Sequence, residues 1–160
     1  MKKKYIRFLA LLLFIFVLVQ FISPKKNLGD ATGPGFIFQS VVTPDNTQQL
    51  LKNACFNCHS NHTDYPWYGY VAPVSWWLNG HINGAKDHLN FSEWDKYSRK
   101  DQIARLNKIC EDIKEGDMPL ASYRLIHKEA RLTSAEKQEI CSWADTAGMK
   151  ILENKNSNQK

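Results

Sequence analysis

The sequence predicts an all-α protein, a small helical bundle behind an apolar N-terminal segment. Two observations lead there. Between residues 44 and 147, apolar residues recur at three- and four-residue spacing in several separate stretches, the period of helices with one buried face. No stretch of useful length alternates apolar with polar side chains, and there is no internal repeat. With 160 residues, the chain is long enough for one ordinary core and too short for two.

The N-terminus stands apart from that core. MKKKYIR is followed by an apolar run from Phe8 to Ile22 broken only by Gln20, and then by Pro24. Tyr5 to Ile22, with Arg7 snorkelling, approaches the roughly 20 residues that a membrane-crossing helix needs. No A-x-A-like cleavage site follows, which favours a retained anchor over a removed signal peptide. Lys2, Lys3, Lys4 and Arg7 would hold the N-terminus in the cytoplasm, so the rest of the chain is expected on the outer side of the membrane, or in a bacterial periplasm.

The formal charge of +5 belongs to that segment, because from residue 27 onward 15 basic residues face 16 acidic ones. A near-neutral domain without a basic stripe excludes a nucleic-acid partner. The predicted organisation is residues 1–24 as signal or membrane anchor, 25–42 as a Pro- and Gly-punctuated linker, 43–153 as the domain, and 154–160 as a polar tail.

In the domain, Thr43 followed by Pro44 suits a helix entry, a capping side chain and then proline at the first helical position. Leu50, Leu51 and Ala54 mark its apolar side, which runs into Cys55. Residues 59–73 carry turn residues and aromatics with neither period, and read as an ordered loop. A second helix follows through Val74, Leu78, His81 or Ile82, Ala85 and Leu89, with Trp77 beside the stripe. Gly80 and Gly84 inside it each cost on the order of 1 kcal/mol relative to alanine, which points to close approach of a flat ligand on that face.

NFSEWDKYS reads as a turn, and a third helix over residues 100–115 presents Ile103, Leu106, Cys110 and Ile113 before Gly116 stops it. Residues 121–132 connect to a last helix, which opens on a capping box of Thr133 and Glu136 and buries Ile140, Trp143 and Ala147.

The chemistry concentrates at Cys55-Phe56-Asn57-Cys58-His59. A redox Cys-x-x-Cys normally opens a helix beside strands, whereas this one closes a helix and has none. Zinc could take Cys55, Cys58 and His59 or His62, with His81, His88 or Cys110 as a fourth ligand. Adjacent Cys58 and His59 fit one tetrahedral ion poorly, however, and a second ligand pair is missing. Two thiols spaced by two residues on a helical turn reach the two vinyl groups of one porphyrin, and the next residue, His59, is then directed at the iron. Cys55 and Cys58 are therefore assigned thioether bonds to haem c, and His59 the proximal iron position.

The chain also resembles a known family. NACFNCHS, TDYPWYGYVAPVSWWLNGHINGAKDHLNFSEW and EGDMPLASYRLIHKEARLTSAEKQEICSWA are similar to segments of the bacterial haem-binding domain family related to cytochrome c, over roughly residues 36–148. The resemblance implies a helical cytochrome c-like fold, covalent haem at Cys55 and Cys58, and His59 as proximal ligand.

For the sixth iron position the candidate is Met118, in the loop Gly116-Asp117-Met118-Pro119 between two helices. That placement resembles the Met-Pro loop of cytochromes c, and the alternative is a gap-filling core methionine. His81 is its main rival, ahead of His62, His88 and His127. Tyr65, Trp67, Tyr68, Trp76 and Trp77 could wall a porphyrin or be ordinary core, and Arg99, Arg105 or Arg124 could pair with its propionates. Cys110 and Cys141 are expected to form a disulfide outside the cytoplasm, the alternative being two buried thiols.

The reading is a membrane-anchored monohaem cytochrome that passes single electrons to a partner the sequence does not name. It is not an enzyme, since no nucleophile–base set or carboxylate pair can be placed in one pocket. A haem-based sensor and a zinc-stabilised interaction module are the alternatives.

Overall fold

The computed structural model describes residues 2–157 and is all-helical; its only β-type pairing among the described residues is an isolated antiparallel bridge between Leu28 and His62. Helix α1 spans Lys2–Val19, α2 Ile37–Ser40 and α3 Asp45–Leu51. The run from α3 continues as a π-helical turn over Lys52–Phe56 and ends in α4, Asn57–His59. Helices α5 (Val74–His88), α6 (Arg99–Glu115), α7 (Ala121–Ile126) and α8 (Ser134–Ser157) complete the set. Three short 3₁₀ turns, Trp67–Tyr70, Phe91–Lys96 and Lys128–Ala130, join them.

The core lies where α6 and α8 pack together and α3 closes over α8. Leu106, Ile109 and Ile113 of α6 meet Ile140, Trp143, Ala144 and Ala147 of α8. Each fully buried aliphatic or phenyl side chain in such a core contributes roughly 1.5–3 kcal/mol. A disulfide between Cys110 and Cys141 joins the same two helices, their Cα atoms 4.9 Å apart.

Local signals set the helix ends. Glu136 N–H donates to Thr133 Oγ1 (3.3 Å) while Thr133 N–H donates to Glu136 Oε2 (2.7 Å), the reciprocal pair of a capping box. Gly116, at φ 86°, ends α6 in the left-handed conformation that a side chain would disfavour. Asp101 N–H donates to Ser98 Oγ and caps the start of α6.

Several expectations need correction. Thr43 does not cap α3: its hydroxyl donates to the Val41 carbonyl and accepts from Trp143 Nε1, and Pro44 stands at the cap position without a side-chain bond. The supposed linker 25–42 packs into the bundle, with Phe36, Ile37 and Val41 buried in the core. Phe91 and Trp94, in a stretch read as a turn, are among the most completely buried large side chains. The connection 121–132 holds α7 and a 3₁₀ turn, because the Leu120 carbonyl accepts from Arg124 N–H to start a helical turn that lacks an apolar stripe. Residues 154–157 of the supposed polar tail continue α8, and 158–160 lie outside the described residues.

Helix α1 is apolar on all sides from Phe8 onward and buries none of its residues against the bundle. Its 18 residues rise about 27 Å. The charges at Lys2, Lys3, Lys4 and Arg7 confine the uninterrupted apolar part to Phe8–Val19, about 18 Å, against a bilayer core of about 30 Å. Among the described residues no helix is long and apolar enough to cross a membrane, so a spanning anchor over residues 5–22 is not what the structure displays.

Candidate functional site

The two cysteines stand on different turns of one helical run. Cys55 lies in the π-helical turn, an insertion that often accompanies functional sites, and Cys58 and His59 form the turn that ends the run before Ser60 extends. Cys55, Cys58, His59 and Met118 all line one cavity of about 1100 Å³, just above the usual range for small-molecule and cofactor sites, roughly 300–1,000 Å³. Helix α5 supplies Trp76, Trp77, Gly80, His81, Gly84 and His88 to its wall, α6 supplies Arg105, Lys108, Ile109 and Ile113, and Pro119, Leu120 and Tyr123 continue from the Met118 loop. The lining is predominantly apolar, as a site for a large flat ring requires.

Gly80 and Gly84 lie on this wall, and a Cβ built on either would meet no atom within 4 Å. The two glycines thus leave room on the cavity side of α5. The stripe assigned to that helix divides: Leu78 and Ile82 are buried, His81, Ala85 and Leu89 line the cavity, and Val74 is exposed.

The His59 ring is held in one orientation by the backbone. Its Nδ1–H donates to the Leu89 carbonyl at 3.0 Å, and because a carbonyl can only accept, this bond fixes the tautomer with Nε2 unprotonated. Burial lowers the His59 pKa from its ordinary value, outweighing the opposing hydrogen bonds to Leu89 and Ala85, and so keeps the ring neutral. The thiols are free, and burial pushes Cys55 up to about 12, assisted by neighbouring Cys58, and Cys58 up to about 11. Such thiols are poor spontaneous nucleophiles, unlike those of disulfide-exchange motifs.

The zinc arrangement does not form. Among the described residues, the one trio of His, Cys, Asp or Glu donors within 4.8 Å of one another is Asp112, Glu115 and Asp117. His62 turns away, with Nδ1 on the Gly29 carbonyl and Nε2 3.6 Å from Asp64, and it lines a different, more polar hollow. His127 is engaged by Tyr68, Glu129 and the ring of Tyr123. His81 reaches the cavity, with its Nδ1 on the Trp77 carbonyl.

Of the three arginines proposed for propionates, only Arg105 lines the cavity. It bonds the His88 carbonyl and lies over the Tyr97 ring, yet its buried Nε has no protein partner. Lys108 beside it is paired with Glu111 and Asp112, and Arg124 bonds the Gly116 carbonyl elsewhere. Sequence spacing could not separate these arginines, since the choice depends on which face of α6 meets the cavity. Of the five aromatics, only Trp76 and Trp77 line it.

The sequence profile of the haem-binding domain family matches residues 14–146. The chain belongs to this family. No curated protein and no solved structure matches it. The match covers every cavity-lining residue of the haem-binding domain and starts within α1, upstream of the motif. The donor set fits haem: two thiols on successive turns, an imidazole with one nitrogen already occupied, a methionine, an unpaired guanidinium nitrogen and an apolar wall with room at two glycines.

Proposed function

We propose that this haem-binding domain is a monohaem c-type cytochrome with a cytochrome c-like arrangement, transferring single electrons on the outer side of the cytoplasmic membrane. The observation that carries the reading is the convergence of Cys55, Cys58, His59 and Met118 on one apolar cavity. In it, Cys55 and Cys58 would provide the thioether sulfurs of haem c, His59 Nε2 the proximal ligand and Met118 the distal ligand. Bound haem supplies one-electron redox chemistry, with a potential that methionine ligation raises.

The chain's own contribution is binding and orientation. The Leu89 carbonyl orients the His59 ring and raises its basicity as a ligand. Arg105 offers a carboxylate partner at the cavity wall. The apolar side chains of Ile109, Ile113 and Phe91 line the cavity and would limit water around a bound haem, favouring its less charged reduced state. With His59 and Met118 both available to hold the iron, the site would suit electron transfer, and no catalytic role is assigned.

The outer-side location is supported by the basic start of α1, and the disulfide suits an oxidising compartment. Attachment to the membrane, without a full crossing by α1, is supported by the apolar surface of that helix from Phe8 to Val19, which buries no residue against the bundle.

Visible spectra of the exported protein in both oxidation states test the reading. A low-spin spectrum with the red-edge band of methionine-ligated ferric haem, lost in Met118→Ala, is expected. Rapid carbon monoxide binding by the native reduced protein would instead favour a sensor with an exchangeable sixth position.

A further inference from the structure

The loop before α5 and the first turn of α5 carry large apolar side chains that stay exposed, Trp76 and Trp77 among them although they also border the cavity. Trp67 is 79 % exposed, Tyr70 64 %, Trp77 50 %, Val74 41 % and Trp76 37 %. A patch of this composition on a free surface normally marks a docking face.

Its position identifies what it docks on. Among the described residues, the hydrogen bonds that tie the chain leaving α1 to the domain before residue 26 run to Ala72 of this loop and to Trp76 at the start of α5. The Gln20 amide accepts from Ala72 N–H (2.9 Å) and donates to the Ala72 carbonyl (3.2 Å), and Trp76 Nε1 donates to the Ile22 carbonyl at 2.6 Å. Next along the chain, the Lys26 ammonium stacks on the Tyr70 ring, 2.9 Å from its centroid. Tyr70 and Trp76 of this exposed set therefore touch the chain where the apolar helix α1 joins the domain.

We propose that Trp67, Tyr70, Val74, Trp76 and Trp77 form an interfacial shelf that seats the domain on the surface of the lipid bilayer into which α1 inserts. This rests on the anchoring role of α1. Two physical arguments select the bilayer over a protein partner. The apolar part of α1 is shorter than the hydrocarbon core, and a short anchor is accommodated by drawing its flanks into the interface. Tryptophan and tyrosine, apolar bodies with polar tips, favour the headgroup level over either water or hydrocarbon.

The consequence concerns the haem. Trp76 and Trp77 belong both to the shelf and to the cavity wall, so the cavity opens at the membrane–water boundary. An electron partner would then meet this site at the bilayer surface.

The test uses the full-length, haem-loaded protein in vesicles of phosphatidylcholine and phosphatidylglycerol. Trp67→Cys and, on an exposed position of α8, Asp145→Cys are each labelled with a nitroxide. Vesicle flotation is measured beside collision accessibility to oxygen and to a water-soluble nickel chelate. Flotation, with nickel accessibility at position 67 several-fold below that at 145 and oxygen accessibility above it, is expected. Flotation with position 67 as accessible to nickel as 145 overturns the shelf while α1 insertion stands. Failure to float removes the insertion and the shelf with it.

Discussion

Cutting the link between α6 and α8 is the most quantitative perturbation the structure offers. Cys110 and Cys141 are 31 residues apart, and the chain-entropy relation for a loop of that length gives about 12 cal/mol/K, or about 3.7 kcal/mol at 25 °C. The loop spans Asp112, Met118 and Tyr123 of the cavity, so the cross-link also restricts the strap that carries the proposed distal ligand. Reduction without mutation isolates the link, whereas Cys110→Ala with Cys141→Ala also removes two buried sulfurs and should cost somewhat more. In urea unfolding of the haem-loaded protein, with a slope near 2 kcal/mol/M, the midpoint should fall by roughly 2 M. A loss below about 1 kcal/mol with an unchanged slope would refute the reasoning, since the loop-closure term alone exceeds it.

Further predictions concern the cavity. Gly84→Leu places a branched side chain where a Cβ meets only open space, so it should leave the fold intact by circular dichroism and sharply reduce haem loading per chain. Arg105→Leu removes a cation from the cavity wall and should lower the reduction potential, because a nearby positive charge favours the reduced iron; an unchanged potential would place the guanidinium outside the field of the haem. In folded haem-free chain, burial holds Cys58 at about 11 and Cys55 at about 12, against an ordinary thiol value of 9.0. Iodoacetamide should therefore modify them slowly until the pH approaches those values. Across the same window the folded state binds more protons than the unfolded one, so stability falls as pH rises above 9, and attachment of haem at these sulfurs should remove that slope.

Much of the site was legible because its signals are local. The Cys55–His59 spacing, the stop at Gly116, the Thr133–Glu136 box and the glycines of α5 each act within a turn or two, and periodicity reads them directly. What escaped depends on tertiary contact. Phe36 and Ile37 look like linker and Phe91 and Trp94 like a turn, because helices of four to six residues are too short to show a period. Thr43 looks like a cap, yet a bond from Trp143, a hundred residues away, captures its hydroxyl. Trp67 passed as core or porphyrin wall, and only its exposure reveals that it is neither.

The central claim is that the polypeptide holds its haem by covalent bonds at Cys55 and Cys58. Intact mass and in-gel haem staining of denatured protein, matured in a host able to assemble c-type cytochromes, test it most directly beside Cys55→Ala with Cys58→Ala. One haem per chain retained through denaturation and acidified acetone, and none in the double variant, is expected. Pigment that leaves the wild-type chain on extraction would contradict it.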